Sequence, residues 1–439
     1  MSTDDTQSLY GSSFACDCGK RHSIQPGRVI YADDCLTSLP GLAEGITQGR
    51  HVSVLLDART HDVAGHAAVQ TMMAAGWEVL PVKLPDGPAG HPICDEPTRQ
   101  ALLGRVGKPD VVVAAGSGVI SDLGKLMADA FGTSSLCVAT AASMNGYASA
   151  NVAHTVDGIK TLLRSKPPAA VLARPGDIER APYAMTTAGL GDILAKSVSS
   201  TDWYMNHLLF GDYYCPRSVG LIARIEPLYF DHPLDILGRK GPAIEALFQG
   251  LLLTGVAMTM AETSAPSSGG EHMISHTLDM IAGLHGREHD LHGRQVGVGT
   301  VLASELYRRL LALESPEFRI RQDAIDERYW GNLSAVIAPE FSAKRPRMEQ
   351  TVEKLSHGPH WDNLRAALAP MLRTPQAVHD CLAQAQGATA AGDLGLDQTQ
   401  LEAAFTHGHE FRARITVLDL AQMAGLLPHA AAEIVAQWA

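Results

Sequence analysis

No cluster of lysines and arginines long enough to grip a nucleic-acid backbone or an anionic bilayer occurs in these 439 residues, and the net charge is −12. An acidic chain can still carry a locally positive pocket, so a small anionic substrate stays open. No apolar run approaches the roughly 20 residues of a membrane span. The longest are VVVAA at 111–115 and LLLTGVAM at 251–258. The opening MSTDDTQSLYGSS is polar and acidic, unlike a secretory signal, so a cytoplasmic setting is expected. Seven cysteines, an odd number scattered along the chain, argue against a disulfide framework. Internal repeats and low-complexity segments are also missing.

What remains is ordinary globular composition, 46% apolar and 19% charged, in a chain long enough for two or three domains. Strand-like and helix-like stretches alternate at first: HVSVLLDA from His51, AGHAAVQTMMAAG, WEVLPVKL from Trp77, PTRQALLGRVG, PDVVVAAG, SDLGKLMADAFG and SLCVATAA from Ser135. Alternation of this kind predicts a parallel, doubly wound sheet over residues 1–182. Past Pro182 the spacing is helical throughout, which predicts an all-helical domain over 183–439.

Glycines 116, 118 and 124 in AAGSGVISDLGK lie between a strand and a helix, where backbone N–H groups and the helix dipole suit phosphate. The spacing is not GxGxxG, so a plain tight turn is the competing reading. Asp57 ends a strand and is either a ribose acceptor or an N-cap. The loop TAASMNGYASA at 140–150 is suited to ligand contacts at the carboxyl ends of strands. Lys160 and Lys166 are candidate phosphate-facing cations or solvated loop lysines. Cys16, Cys18 and His22 form CxCGxxH, either a metal cluster or a surface loop; no second ligand pair completes a closed zinc site.

Three further stretches carry metal-type donors. Asp192 lies in GLGDILAK, His272 and His276 sit four apart in GGEHMISH, and HGREHDLHG offers His285, His289 and His292. Residues four apart share a helix face. One carboxylate and two imidazoles around a divalent ion is a common catalytic set, although the spacing alone does not choose among the last three histidines.

Taken in order, GSGVISDLGK, TAASMNGYASA, AGLGDILAK, SGGEHMISH and LHGRQVGVGT resemble the sn-glycerol-1-phosphate dehydrogenase family. That family falls within the iron-containing alcohol dehydrogenase and dehydroquinate synthase-like superfamily, and the likeness spans roughly residues 30–300. The resemblance implies a Rossmann-like α/β N-terminal domain with a parallel sheet, an all-helical metal-binding C-terminal domain, and a cleft between them. It implies reduction of dihydroxyacetone phosphate to sn-glycerol 1-phosphate, a step of phospholipid metabolism, with NAD or NADP and one divalent metal. Zinc is the usual metal, with nickel or iron in relatives. Position by position, Asp192, His272 and His292 match metal ligands, and His276 matches a substrate contact that can relay a proton. Asp192 would thus serve metal, substrate and catalysis together. Gly118, Val119, Ile120, Ser121, Asp122, Thr140, Ser143 and Ser149 match cofactor contacts, beside Gly116 and Asp57 from the spacing argument. Lys160 is carried as a substrate contact. Asn145 stands where the family usually has Asp, a neutral near-isostere that loses an ionised acceptor. The alternatives are a reductase of a related phosphorylated or phosphonylated carbonyl compound, or a dehydroquinate synthase-like lyase with no net redox. A homo-oligomer is expected, without nucleic-acid or membrane partners.

Overall fold

The computed structural model describes residues 7–87, 90–156 and 158–439; the acidic stretch at 1–6 lies outside them. Six parallel strands form the central sheet in the order β3-β10-β7-β6-β4-β5: β3 Arg28–Tyr31, β4 His51–Leu56, β5 Glu78–Lys83, β6 Val111–Gly116, β7 Ser134–Ala139 and β10 Ala170–Ala173. The inner strands are buried on both faces, as parallel strands under helices must be. Val111, Val113 and Ala115 join Val52, Val54 and Leu56 in one core cluster. Val112 and Ala114, pointing the other way, pack with Leu55, Ile120 and Leu123.

Two antiparallel hairpins flank the sheet, β1 Ser13–Ala15 with β2 Arg21–Ser23, and β8 Asn151–Val156 with β9 Ile159–Arg164. Neither hairpin, nor β3 and β10, is among the strands expected from the sequence. Among the described residues no strand follows β10, so the helical character past Pro182 is what the spacing predicts.

Contacts divide the chain into two compact units: the chain up to Gly189 with Pro216–Thr263, and Leu190–Cys215 with Ser264–Ala439. A single division after residue 182 is the simpler expectation. The difference arises because the helix Gly241–Ala261 braces the loop at 140–150 of the sheet-bearing unit. Thr259 Oγ1 donates to Ala148 O (3.2 Å) and accepts from Ala150 N (3.1 Å). A Cβ on Gly255 would lie 2.8 Å from Asn145 O, so only glycine allows that approach. By length and composition this 21-residue helix could cross a membrane, but 89% of its apolar window is buried in the fold, as a core helix requires.

Candidate active site

In the sheet-bearing unit, β6 runs through Gly116 and Ser117 into the helix Gly118–Ala130. The first N–H groups of that helix have no intrahelical partner and point past the strand end. Gly124 is fixed by packing, since a Cβ there would lie 2.6 Å from Ala114 Cβ. A Cβ on Gly118 would meet Met144 Sδ at 2.9 Å, which keeps the turn open at the loop that follows β7.

Several expected cofactor contacts have other employment for their side chains. Ile120 and Ser121 are buried, and Cys137 Sγ lies 3.7 Å from Ser121 Oγ. Asp122 is ion-paired with Lys125 (2.7 Å) and accepts from Ala153 N (3.2 Å). Ser149 Oγ accepts from Asn151 N (3.0 Å), and Ser143 Oγ lies 3.4 Å from Tyr147 Oη. Thr140 N donates to Gly116 O (3.3 Å), joining the carboxyl ends of β7 and β6.

Asp57 is the N-cap of the turn Ala58–Thr60, accepting from Arg59 N (2.9 Å) and Thr60 N (2.7 Å). Its other oxygen takes Arg59 Nη2 at 2.7 Å. Burial works against the charge, but these hydrogen bonds hold its carboxyl below the usual range. Asp57 is thus an N-cap, as one of its two readings expects, with its charge paired to Arg59. Lys160 is not in a loop; it stands in β9 opposite Thr155.

Lys125 went unnoticed in the sequence. It is buried and donates to Gly146 O (3.0 Å) and Asn151 O (2.9 Å), fastening the loop that carries Asn145.

The helical unit brings together the residues drawn from three separate motifs. Asp192 comes from the helix Tyr183–Leu194, His272 and His276 from Gly270–Leu284, and His292 opens His292–Leu311. Glycines set their convergence. A Cβ on Gly191 would lie 2.1 Å from Gly293 O, and one on Gly299 would lie 2.7 Å from Glu271 O. The three helices thus touch backbone to backbone.

One donor atom each from Asp192, His272 and His292 fall within 4.8 Å of one another, and Asp192 and His272 are buried. His272 Nε2 faces Asp192 Oδ1 at 3.5 Å. Its Nδ1 donates to Glu271 Oε1 (2.7 Å), while His292 Nδ1 lies 3.1 Å from Ser275 Oγ. Each ring therefore has its Nδ1 fixed by a neighbour, as is usual behind a histidine that ligates through Nε2. The set fits a divalent ion in charge, ligand type and burial. Burial would lower the His272 pKa, yet Asp192 and Glu271 raise it overall. Asp192 is lowered in spite of burial by His272, Lys196 and His292.

His276 is buried one turn on, its ring stacked on His292 at 5.2 Å and edge-on to Phe411 at 6.3 Å. It shares a second donor group with Asp279 and His292, again within 4.8 Å. His285 and His289 are exposed. Glu271, Asp279, Lys196 and Phe411 also stand at this site and lie outside the residues expected from the sequence. Asp279 was signalled by its place three residues after His276 on the same helix face. Lys196 is buried, its pKa pushed down to about 8 by burial against the pull of Asp192 and Glu271.

The profile of the iron-containing alcohol dehydrogenases matches residues 31–182. The glycerol-1-phosphate dehydrogenase [NAD(P)+] of Halalkalibacterium halodurans is 31% identical over 297 residues, 67% of this chain and 74% of that protein. The chain belongs to the glycerol-1-phosphate dehydrogenase family. The Bacillus licheniformis glycerol-1-phosphate dehydrogenase [NAD(P)+] is 28% identical across 94% of this chain and 93% of its own length. Among solved structures, a probable glycerol dehydrogenase from Sinorhizobium meliloti 1021 superposes with a TM-score of 0.60 at 16% identity. It covers 92% of this chain and 97% of its own, and shows the shared fold. For a glycerol-1-phosphate dehydrogenase family member, the buried Asp192 and His272 with the half-buried His292 are the candidate metal set.

Proposed function

We propose that the protein is a metal-dependent, NAD(P)-linked dehydrogenase that interconverts dihydroxyacetone phosphate and sn-glycerol 1-phosphate. The observation that carries this reading is the convergence of Asp192, His272 and His292 within 4.8 Å in a chain of this family. When bound, a divalent ion supplies Lewis-acid polarisation of the substrate oxygen and the nicotinamide supplies or accepts the hydride. Zinc is the proposed ion, because three protein ligands with an open fourth position is its usual catalytic arrangement.

The chain's own residues supply position and proton control. Glu271 holds the His272 ring in the tautomer that leaves Nε2 bare. His276, held flat against His292, is placed to hydrogen-bond the substrate and to hold or release a proton at a ring nitrogen. Backbone N–H groups at Gly118, Val119 and Ile120 receive the cofactor phosphates, and Lys125 keeps the Asn145 loop in register. Arg59, paired with Asp57 and Asp86, supports acceptance of NADP as well as NAD. None of the seven cysteines is joined in a disulfide, which supports a reducing, cytoplasmic setting.

The test is an NAD(P)H oxidation screen over dihydroxyacetone phosphate, its unphosphorylated parent and phosphonylated ketones. Stoichiometric NAD(P)H consumption with dihydroxyacetone phosphate, yielding sn-glycerol 1-phosphate, is expected. Turnover of a phosphorylated substrate with no net NAD(P)H consumption would establish the lyase instead.

A further inference from the structure

We propose that Cys16, Cys18, His22 and Cys215 form a second, structural zinc site, unrelated in donor chemistry to Asp192, His272 and His292. One donor atom from each of the four lies within 4.8 Å of all the others. Around a tetrahedral zinc with bonds of ~2.0–2.3 Å, donors stand about 3.3–3.8 Å apart, so only a small contraction separates this cluster from a closed site.

The local fold is built for it. β1 and β2 pair over three positions only, and a ribbon that short is marginal without a staple. Between them the chain turns in a tight knuckle, with Cys16 N donating to Lys20 O (2.9 Å) and Gly19 N to Cys16 O (3.0 Å). Gly19 has φ +86, a left-handed value that favours glycine, so CxCG is the pattern this knuckle needs. His22 sits across the ribbon from Phe14, is 3% exposed, and places Nε2 3.2 Å from Cys18 Sγ.

Cys215 is peptide-bonded to Pro216, the first residue of the helix Pro216–Ala223. The Arg217 guanidinium lies over the Phe14 ring at 3.9 Å, and Ser218 Oγ donates to Ala257 O (3.1 Å). The chain itself therefore delivers Cys215, fully buried, to the hairpin. Three thiolates and one imidazole form a soft set that selects zinc over hard cations, and all four thiol or imidazole groups are donors without a disulfide. Binding releases the thiol protons and fastens the hairpin to the helix start.

The experiment measures metal content of the full-length protein, and zinc release from the unmodified protein as a thiol-blocking mercurial is added in the presence of a chromogenic chelator. About two equivalents per chain are expected, one of them released in step with thiol blocking. C16S/C18S should lose that equivalent and keep the other, whereas H272A should lose the other and keep this one. Cobalt exchanged into H272A should show thiolate-to-cobalt charge-transfer absorption that C16S/C18S lacks. Should the double variant fail to fold, the release curve on the unmodified protein still decides. Thiol blocking that frees no metal, or cobalt-loaded protein without thiolate charge transfer, overturns the proposal, whatever becomes of the Asp192 set.

Discussion

Glu271 Oε1 lies 2.7 Å from His272 Nδ1, and the opposite nitrogen of that ring faces Asp192. A buried carboxylate behind a histidine fixes its tautomer and raises its basicity as a ligand. E271Q keeps the shape but removes the charge. Its affinity for zinc in chelator competition should fall ~10–100-fold, the range for such partners. An unchanged affinity would show that Glu271 serves packing alone.

Gly191 sits against Gly293 with no room for a side chain. G191A should push the helices bearing Asp192 and His292 apart, lowering stability by about 3 kcal/mol or more, since both atoms in the clash are backbone-fixed. Calorimetry should record a lower Tm, and metal content should fall with it. Full metal occupancy at an unchanged Tm would contradict the backbone-contact account.

Glu410 is buried beside Phe411, which packs on His276. Burial opposes its charge, but His407 (2.8 Å), Gln322 (2.7 Å) and Asp326 N (3.0 Å) outweigh it and hold the carboxyl down to about 2. A folded-state value below the unfolded 4.5 means stability that is complete above that pH and lost as pH falls from 4.5 toward 2. The contribution is on the order of 3 kcal/mol. Denaturant titrations across that window should show E410Q losing less stability on acidification than the parent, from a lower start. Parallel curves would remove Glu410 from the acid response.

Asn145 lies in the loop that Lys125 and Thr259 fasten, and the resemblance assigns its position to substrate contact. N145D should change KM for dihydroxyacetone phosphate by about tenfold or more, about 1.4 kcal/mol, with metal content and Tm unchanged. Equal KM values would take Asn145 out of the substrate contact.

Much of this was legible in the sequence, and the misses share a cause. β4, β6 and β7 read as strands because short apolar runs bounded by glycine or turns, in alternation with helical stretches, have few other fates. β10, AVLA, is four residues buried on both faces, and such a run has no period to distinguish it from helix. Lys160 looked like a loop residue because β8 and β9 mix polar and apolar positions without a clean alternation. Asp192, His272 and His292 were readable as a set through motif order. Glu271, Lys125 and Lys196 were not, because what each does depends on which backbone or carboxylate the fold places beside it.

Metal readdition tests the central claim most directly. Chelator-treated protein and chelator-treated H272A are titrated with zinc while NADH oxidation by dihydroxyacetone phosphate is followed. The account predicts that turnover of the parent returns in proportion to zinc rebound, and that H272A neither rebinds that equivalent nor turns over. Full activity in metal-free protein, or an H272A variant that rebinds zinc and works at the parent's rate, would contradict it.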